Sequence, residues 1–232
     1  MKIHIITAFP NLLRGPLDES IIKRSVEKNI VEFISHDLRQ YSSDKHHRVD
    51  DYPYGGGPGM ILKPDPIFSC IESVIEQYQV EASDIIFLTP QGKKYSQAKA
   101  KELAERQNLV LLCGHYKGVD ERVREYWKMD EISIGDYVLT GGELPALVII
   151  DSVIRLIPGV ISDIDSAKTD SFYEGILDCP YYTRPEVYRN MSVPEILLSG
   201  NHAEINKWRQ QEALKRTLKE RPDLIHEIKE TI

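Results

Sequence analysis

Residues 133–146 read Ser-Ile-Gly-Asp-Tyr-Val-Leu-Thr-Gly-Gly-Glu-Leu-Pro-Ala and hold the densest chemical signal in the chain. Gly141 and Gly142 break the backbone, and Pro145 stands where a helix starts. At a first helical position the N–H that proline lacks would be unpaired anyway. Ile134 to Leu139 carry little charge, so they present a ligand mainly with backbone N–H and C=O groups. Further on, Arg155 lies inside an apolar run and Asp170 in Thr-Asp-Ser-Phe. By residue type alone, Asp170 reads first as an N-cap for a helix over 171–174. Arg155 reads equally as an ion-pair partner of Asp151 one helical turn earlier. Gly55, Gly56 and Gly57 lack the Gly-Lys-Ser/Thr ending of a P-loop, and no GxGxxG occurs anywhere. His46 and His47 lie side by side in a polar loop, the pattern of solvated histidines rather than of metal ligands.

The elements that must position these residues alternate. Lys2 to Ala8, Val31 to Leu38, Asp84 to Leu88, Asn108 to Cys113 and Ile132 to Leu139 read as strands. Helical periodicity marks residues 20–28, Pro64 to Tyr78, Ser96 to Arg106 and Pro145 to Leu156. Strands apolar on both faces, separated by helices, predict an α/β fold with a covered parallel sheet. In such sheets ligands sit beyond the carboxyl ends of the strands. Three of those ends carry turn residues of one kind: Leu88-Thr-Pro-Gln-Gly92, Cys113-Gly-His-Tyr116 and Leu139-Thr-Gly-Gly142. Ile161 to Lys168 is short and polar, the ground of a linker. A small helical domain follows, with a helix from about His202 to Glu220, a last helix after Pro222, and Ile205, Trp208, Leu214 and Leu218 as its packing residues.

With 232 residues, 41% of them hydrophobic and 28% charged, the chain can bury a core of real size. No segment approaches the roughly 20 apolar residues of a membrane span, and the N-terminal apolar run is too short for a signal peptide. A cytoplasmic protein is expected. Cys70, Cys113 and Cys179 are too widely spaced for a CxxC metal site or a disulfide framework. The net charge of −7 weighs mildly against nucleic acid, while residues 201–221 hold six basic and three acidic side chains, a pattern that fits a phosphate-binding surface and a solvated helix face equally well.

The stretch IGDYVLTGGELPA resembles the signature of the bacterial tRNA (guanine-N1)-methyltransferases of the SPOUT superfamily. Four further blocks agree in the same order: residues 49–60 (VDDYPYGGGPGM), 112–122 (LCGHYKGVDER), 177–187 (LDCPYYTRPEV) and 198–205 (LSGNHAEI), the last followed by Trp208-Arg209. The resemblance spans nearly the whole chain. It implies a knotted parallel-sheet domain over 1–161 with a C-terminal trefoil knot, a linker over 162–172, and a helical tRNA-binding domain over 173–232. It further implies a homodimer with the active site at the subunit interface, S-adenosylmethionine as methyl donor, and the anticodon arm of tRNA as partner. Magnesium is allowed as an additional cofactor.

By the same resemblance Asp170 matches the general base that removes the guanine N1 proton, and Arg155 matches the cation that stabilises O6. The cofactor-binding pattern maps onto Leu88, Pro90 and Gly92, then Gly114, Tyr116 and Gly118. It continues through Ile134, Gly135, Asp136, Tyr137, Val138 and Leu139 to Gly141 and Gly142. Asp178 matches a residue facing the partner subunit's cofactor, and the Gly55–Gly57 loop is expected near the cofactor and the flipped base. One departure stands out. The family's Cys-Gly-Arg-Tyr-Glu-Gly is Cys-Gly-His-Tyr-Lys-Gly here, placing His115 and Lys117 where an arginine and a carboxylate are usual. Two rivals follow: a SPOUT enzyme for another RNA base, against which Asp170 and Arg155 speak, and an RNA-binding protein without catalysis, for which only His115 and Lys117 speak.

Overall fold

Alternation of β-branched runs with amphipathic segments produces a two-unit chain, Met1–Ser162 and Asp163–Ile232. The computed structural model describes residues 1–225; the last helix expected after Pro222 lies largely outside the described residues. The first unit runs β1 (Lys2–Thr7), α1 (Ser20–Glu27), β2 (Glu32–Asp37), β3 (Asp50–Asp51), β4 (Ile61–Leu62), α2 (Pro64–Tyr78), β5 (Ile85–Lys94), α3 (Gln97–Ala104), β6 (Asn108–Cys113), α4 (Glu121–Trp127), β7 (Asp130–Ser133) and α5 (Glu143–Ile154).

Five strands form one parallel sheet in the order β2-β1-β6-β5-β7. Because side chains alternate across a strand, each strand feeds two cores. Ile3, Ile5, Leu109, Leu111, Ile86 and Leu88 pack with Ile149, Ile150 and Val153 of α5 and with Leu103 of α3. Ile6, Val110, Leu112, Ile85 and Phe87 pack with Ile67, Ile71 and Val74 of α2 and with Val123 of α4. Helices therefore cover both faces, as the doubly apolar strands require. The three cysteines are free and buried.

Two expectations at the sheet's carboxyl edge need correction. The last strand stops at Ser133 instead of continuing to Leu139. Gly135 turns the chain away with φ +152°, and the Tyr137 ring packs where a Cβ would sit. Ser133 Oγ fixes that turn, accepting from Gly135 N at 3.2 Å and donating to Gly135 O at 3.0 Å. The following helix begins at Glu143 rather than Pro145, so the proline lies within its first turn, where no intrahelical N–H is needed.

The second unit holds α6 (Ile164–Lys168), a hairpin of β8 (Val187–Tyr188) and β9 (Met191–Ser192), α7 (Glu195–Leu198) and α8 (His202–Glu220). The stretch read as linker is thus partly helical. Asn201 caps α8 by accepting from Glu204 N at 3.4 Å. The inward face of α8 differs from the expected one: Ile205, Ala213 and Thr217 are buried, while Leu214 and Leu218 are 46% and 54% exposed. The reason is a polar anchor. Thr217 Oγ1 donates to Ala213 O at 2.8 Å and accepts from Leu177 N at 3.0 Å, and the small side chains let the chain at 177 lie against the helix.

Candidate functional site

At the carboxyl ends of β5, β6 and β7 the first unit opens into a cavity of about 640 Å³. Its walls are the three turns singled out in the sequence, including Leu88, Pro90, Gly114, Tyr116, Gly118, Ile134, Gly135, Tyr137, Val138, Leu139, Gly141 and Gly142. Two expected members stand off the wall. Gly92 packs against the backbone of Glu131 and Ile132, where a Cβ has no room. Asp136 points to solvent and meets Lys94 at 3.7 Å.

Six glycines line the walls, and the backbone around them is held. The 114–118 turn is bound to the neighbouring strand through Lys117 N to Met60 O at 3.0 Å and Leu62 N to Gly118 O at 3.0 Å. The 134–142 loop is tied down by Gly142 N donating to Gly114 O at 2.7 Å. A Cβ on Gly114 would approach the Phe87 ring to 3.2 Å, so the glycine lets sheet and turn meet. Acidic and basic side chains are few at this wall: His115, Lys117, and Glu121 with Arg124, which pair at 3.0 Å. Arg124 also grips Glu131 at 2.8 Å, and hydrogen bonding to Glu131 raises its pKa further. Burial pushes the Tyr116 phenol up, with Asp50 adding to it. Cys113 is fully enclosed, and burial together with the Glu143 charge holds its thiol well above the usual range, so it is no nucleophile.

Sequence reasoning missed one group here. Glu143 is only 1% exposed. Its Oε1 accepts from Thr7 Oγ1 at 2.6 Å, and its Oε2 lies 3.7 Å from His115 Nδ1. The available signal was a carboxylate directly after a glycine pair at the head of an otherwise apolar helix.

Arg155 is the C-cap of α5, at the helix end opposite Gly142. At 1.5 Å per residue that separation is about 20 Å, beyond the reach of an arginine side chain into the cavity of its own chain. Asp170 lies in the second unit, after the end of α6, in a turn whose Tyr173 N donates to Asp170 O at 3.3 Å. Residues 171–174 form no helix, so the capping role expected from residue type has nothing to cap. Asp178 is held within the same unit: Ser171 Oγ donates to its Oδ1 at 2.9 Å and Arg216 Nη1 to the same atom at 3.3 Å. His46 and His47 are exposed, and among the described residues no group of three or more His, Cys, Asp or Glu could hold a metal ion. No described helix is long and apolar enough to cross a membrane.

The fold and the cavity define an α/β domain that presents a glycine-rich pocket beyond the ends of parallel strands. A family model for "tRNA (Guanine-1)-methyltransferase TrmD" matches residues 1–227. Among curated proteins, the tRNA (guanine-N(1)-)-methyltransferase of Dehalococcoides mccartyi is 54% identical over 228 residues, covering 98% of this chain and 92% of its own. Those of Anoxybacillus flavithermus and Listeria monocytogenes are 53% and 52% identical, each covering 97% of this chain and 91% and 92% of their own. The chain belongs to the tRNA (guanine-1)-methyltransferase family.

Proposed function

We propose that this protein transfers a methyl group from S-adenosylmethionine to N1 of the guanosine immediately 3′ of the anticodon in tRNA. The observation that carries the reading is the glycine-rich cavity at three adjacent strand ends, in a chain of this family. Its volume of about 640 Å³ lies within the roughly 300–1,000 Å³ of small-molecule sites. N–H and C=O groups of Ile134 to Leu139 suit the polar edge of an adenine, and Leu88, Pro90 and Leu139 suit its faces. When bound, S-adenosylmethionine supplies a methyl group on a sulfonium sulfur, an electrophile already activated.

The remaining difficulty is the acceptor. Guanine N1 carries a proton at neutral pH, so its lone pair is not free, and removing the proton drives negative charge onto O6. In the proposed mechanism the Asp170 carboxylate takes that proton, and the Arg155 guanidinium faces O6 as charge develops. The distance between Arg155 and the cavity of its own chain supports a homodimer in which each site takes its pocket from one subunit and its Arg155 and Asp170 from the other. Leu144 and Val148, exposed on successive turns of α5, and the exposed Val138 offer apolar surface for such pairing. Asp178 would face the partner's cofactor by this arrangement, and both of its side-chain bonds fall on Oδ1.

The trefoil knot belongs to the same reading, supported by the bond that ties Gly142 to Gly114. The second unit would hold the anticodon arm, with exposed Lys207, Arg209 and Lys219 on α8 meeting phosphates. The protein would work in the cytoplasm, beside its tRNA. Magnesium enters this reading only as an additional cofactor, and the proton and charge handling proposed here runs through Asp170 and Arg155.

The test is methyl transfer from labelled S-adenosylmethionine to two tRNA transcripts, one with guanosine 3′ of the anticodon and one with adenosine. Label on the guanosine transcript alone is expected. Label on both would replace the reading with a different target base, and no label with cofactor binding intact would favour an RNA-binding protein without catalysis.

A further inference from the structure

Beneath the cavity, three side chains from distant parts of the chain converge. Thr7 ends β1, His115 follows β6, and Glu143 opens α5. Thr7 Oγ1 donates to Glu143 Oε1 at 2.6 Å and accepts from Phe9 N at 2.8 Å. The Phe9 ring lies against the His115 ring, with centroids 4.3 Å apart. A carboxylate this deeply buried is costly unless paired, and Thr7 satisfies only one of its oxygens. The other faces His115 Nδ1 at 3.7 Å, longer than a hydrogen bond, and that nitrogen is buried without a partner. Gly141 sits across the gap: a Cβ there would overlap both Glu143 Oε2 and His115 Nδ1. Backbone pairing of His115 with Gly141 joins the same two segments.

We infer that Glu143 is a positioning residue that acts through His115. Its buried carboxylate orients the imzidazole and draws the 114–118 turn against the 134–142 loop, setting the spacing of the two cavity walls. His115 Nδ1 has no other partner, so a shift of about 1 Å would complete an Nδ1–H···Oε2 bond of ordinary length. Ligand pressing on the two walls and closure of this bond would then favour each other. In its consequence for cofactor binding, this inference rests on the function proposed above; the pairing itself does not.

Two measurements test it. Imidazole ¹⁵N spectra of the wild-type protein without ligand should show His115 Nδ1 carrying the proton, with a resonance that moves in Glu143→Gln. A bare Nδ1 in the wild type would overturn the pairing. The second is a double-mutant cycle on S-adenosylmethionine affinity by calorimetry, using Glu143→Gln and His115→Phe. The phenylalanine keeps the contact with Phe9 and removes Nδ1. Each change should weaken binding about tenfold and the double no further, as expected for coupled residues. In turnover, KM for the cofactor should rise more than kcat falls. Additive losses, or affinities equal to wild type, would overturn the inference. If Glu143→Gln does not fold, His115→Phe decides alone: unchanged affinity contradicts the positioning role. Wild-type protein that binds no S-adenosylmethionine would contradict the proposed function instead, and the ¹⁵N spectra would still decide the pair.

Discussion

Gly142 lies directly on Cys113. Its N–H donates to Gly114 O at 2.7 Å, and a Cβ placed on it would stand 2.6 Å from Cys113 Cα and 2.9 Å from Gly114 N. These obstacles are backbone atoms in a sheet buried on both faces, which cannot swing aside as a side chain can. Gly142→Ala should therefore destabilise the first unit by about 1–3 kcal/mol and weaken S-adenosylmethionine binding, seen in thermal unfolding and calorimetry. A melting temperature and affinity equal to wild type would mean that the loop is not seated as described.

Asp170→Asn preserves shape and removes basicity. The turnover number should fall by about 10²–10⁴, the usual contribution of a positioned base, with S-adenosylmethionine affinity and melting temperature unchanged. Single-turnover kinetics beside calorimetry would separate this from a binding defect.

Arg155 stands at the far end of α5 from Gly142, which predicts complementation between subunits. Gly142→Val and Arg155→Ala should each inactivate the proposed homodimer. A co-purified heterodimer of the two should regain activity, because one of its sites then draws pocket and arginine from unaltered halves. No recovery would place both groups in the same chain's site.

His4 and His36 share one proton between His4 Nδ1 and His36 Nε2, 3.0 Å apart, and His4 is fully buried. Burial first, then the His36 charge, lowers the His4 pKa from 6.5 to about 4, and burial moves His36 in the same direction. The unfolded chain therefore binds more protons than the folded one between these values, and stability rises with pH there. Acidification from about pH 6.5 to about pH 4 should cost on the order of 3 kcal/mol through His4, at roughly 1.4 kcal/mol per pKa unit. Urea unfolding at pH 7 and pH 5 would show it, and His4→Asn should flatten the dependence.

On α8 the structure and the bare hydrophobic pattern make opposite predictions. Thr217→Val leaves the Leu177 N–H without its acceptor and should cost about 1–3 kcal/mol. Leu214→Ala and Leu218→Ala, on the exposed side, should each cost less than about 0.5 kcal/mol. Chemical denaturation of the three variants decides between them.

Much of the first unit is legible in the sequence because its strands are short runs of Ile, Val and Leu that only a two-faced core can absorb. The glycine-marked strand ends likewise announce the cavity wall, since glycine is needed wherever backbone meets backbone. The roles of Asp170 and Arg155 have no such signal: spacing suggests a helix cap and an ion pair, and only the family likeness points elsewhere. The sequence reads β7 through to Leu139 because the stretch carries little charge, while one residue, Gly135, turns the chain out of the sheet. Thr217 and Glu143 escaped for a different reason. Each is a polar residue buried by a partner far away in sequence, Leu177 for one and Thr7 for the other, and no local pattern records such a meeting.

The most direct test of the central claim is the identity and position of the product. Guanosine-bearing tRNA would be treated with wild-type protein and S-adenosylmethionine, digested, and analysed by nucleoside mass spectrometry with fragment mapping. The account predicts 1-methylguanosine, confined to the residue just 3′ of the anticodon, and none from Asp170→Asn protein that still binds the cofactor. Methyl on a ribose, on another base, or on guanosines elsewhere in the tRNA would contradict it.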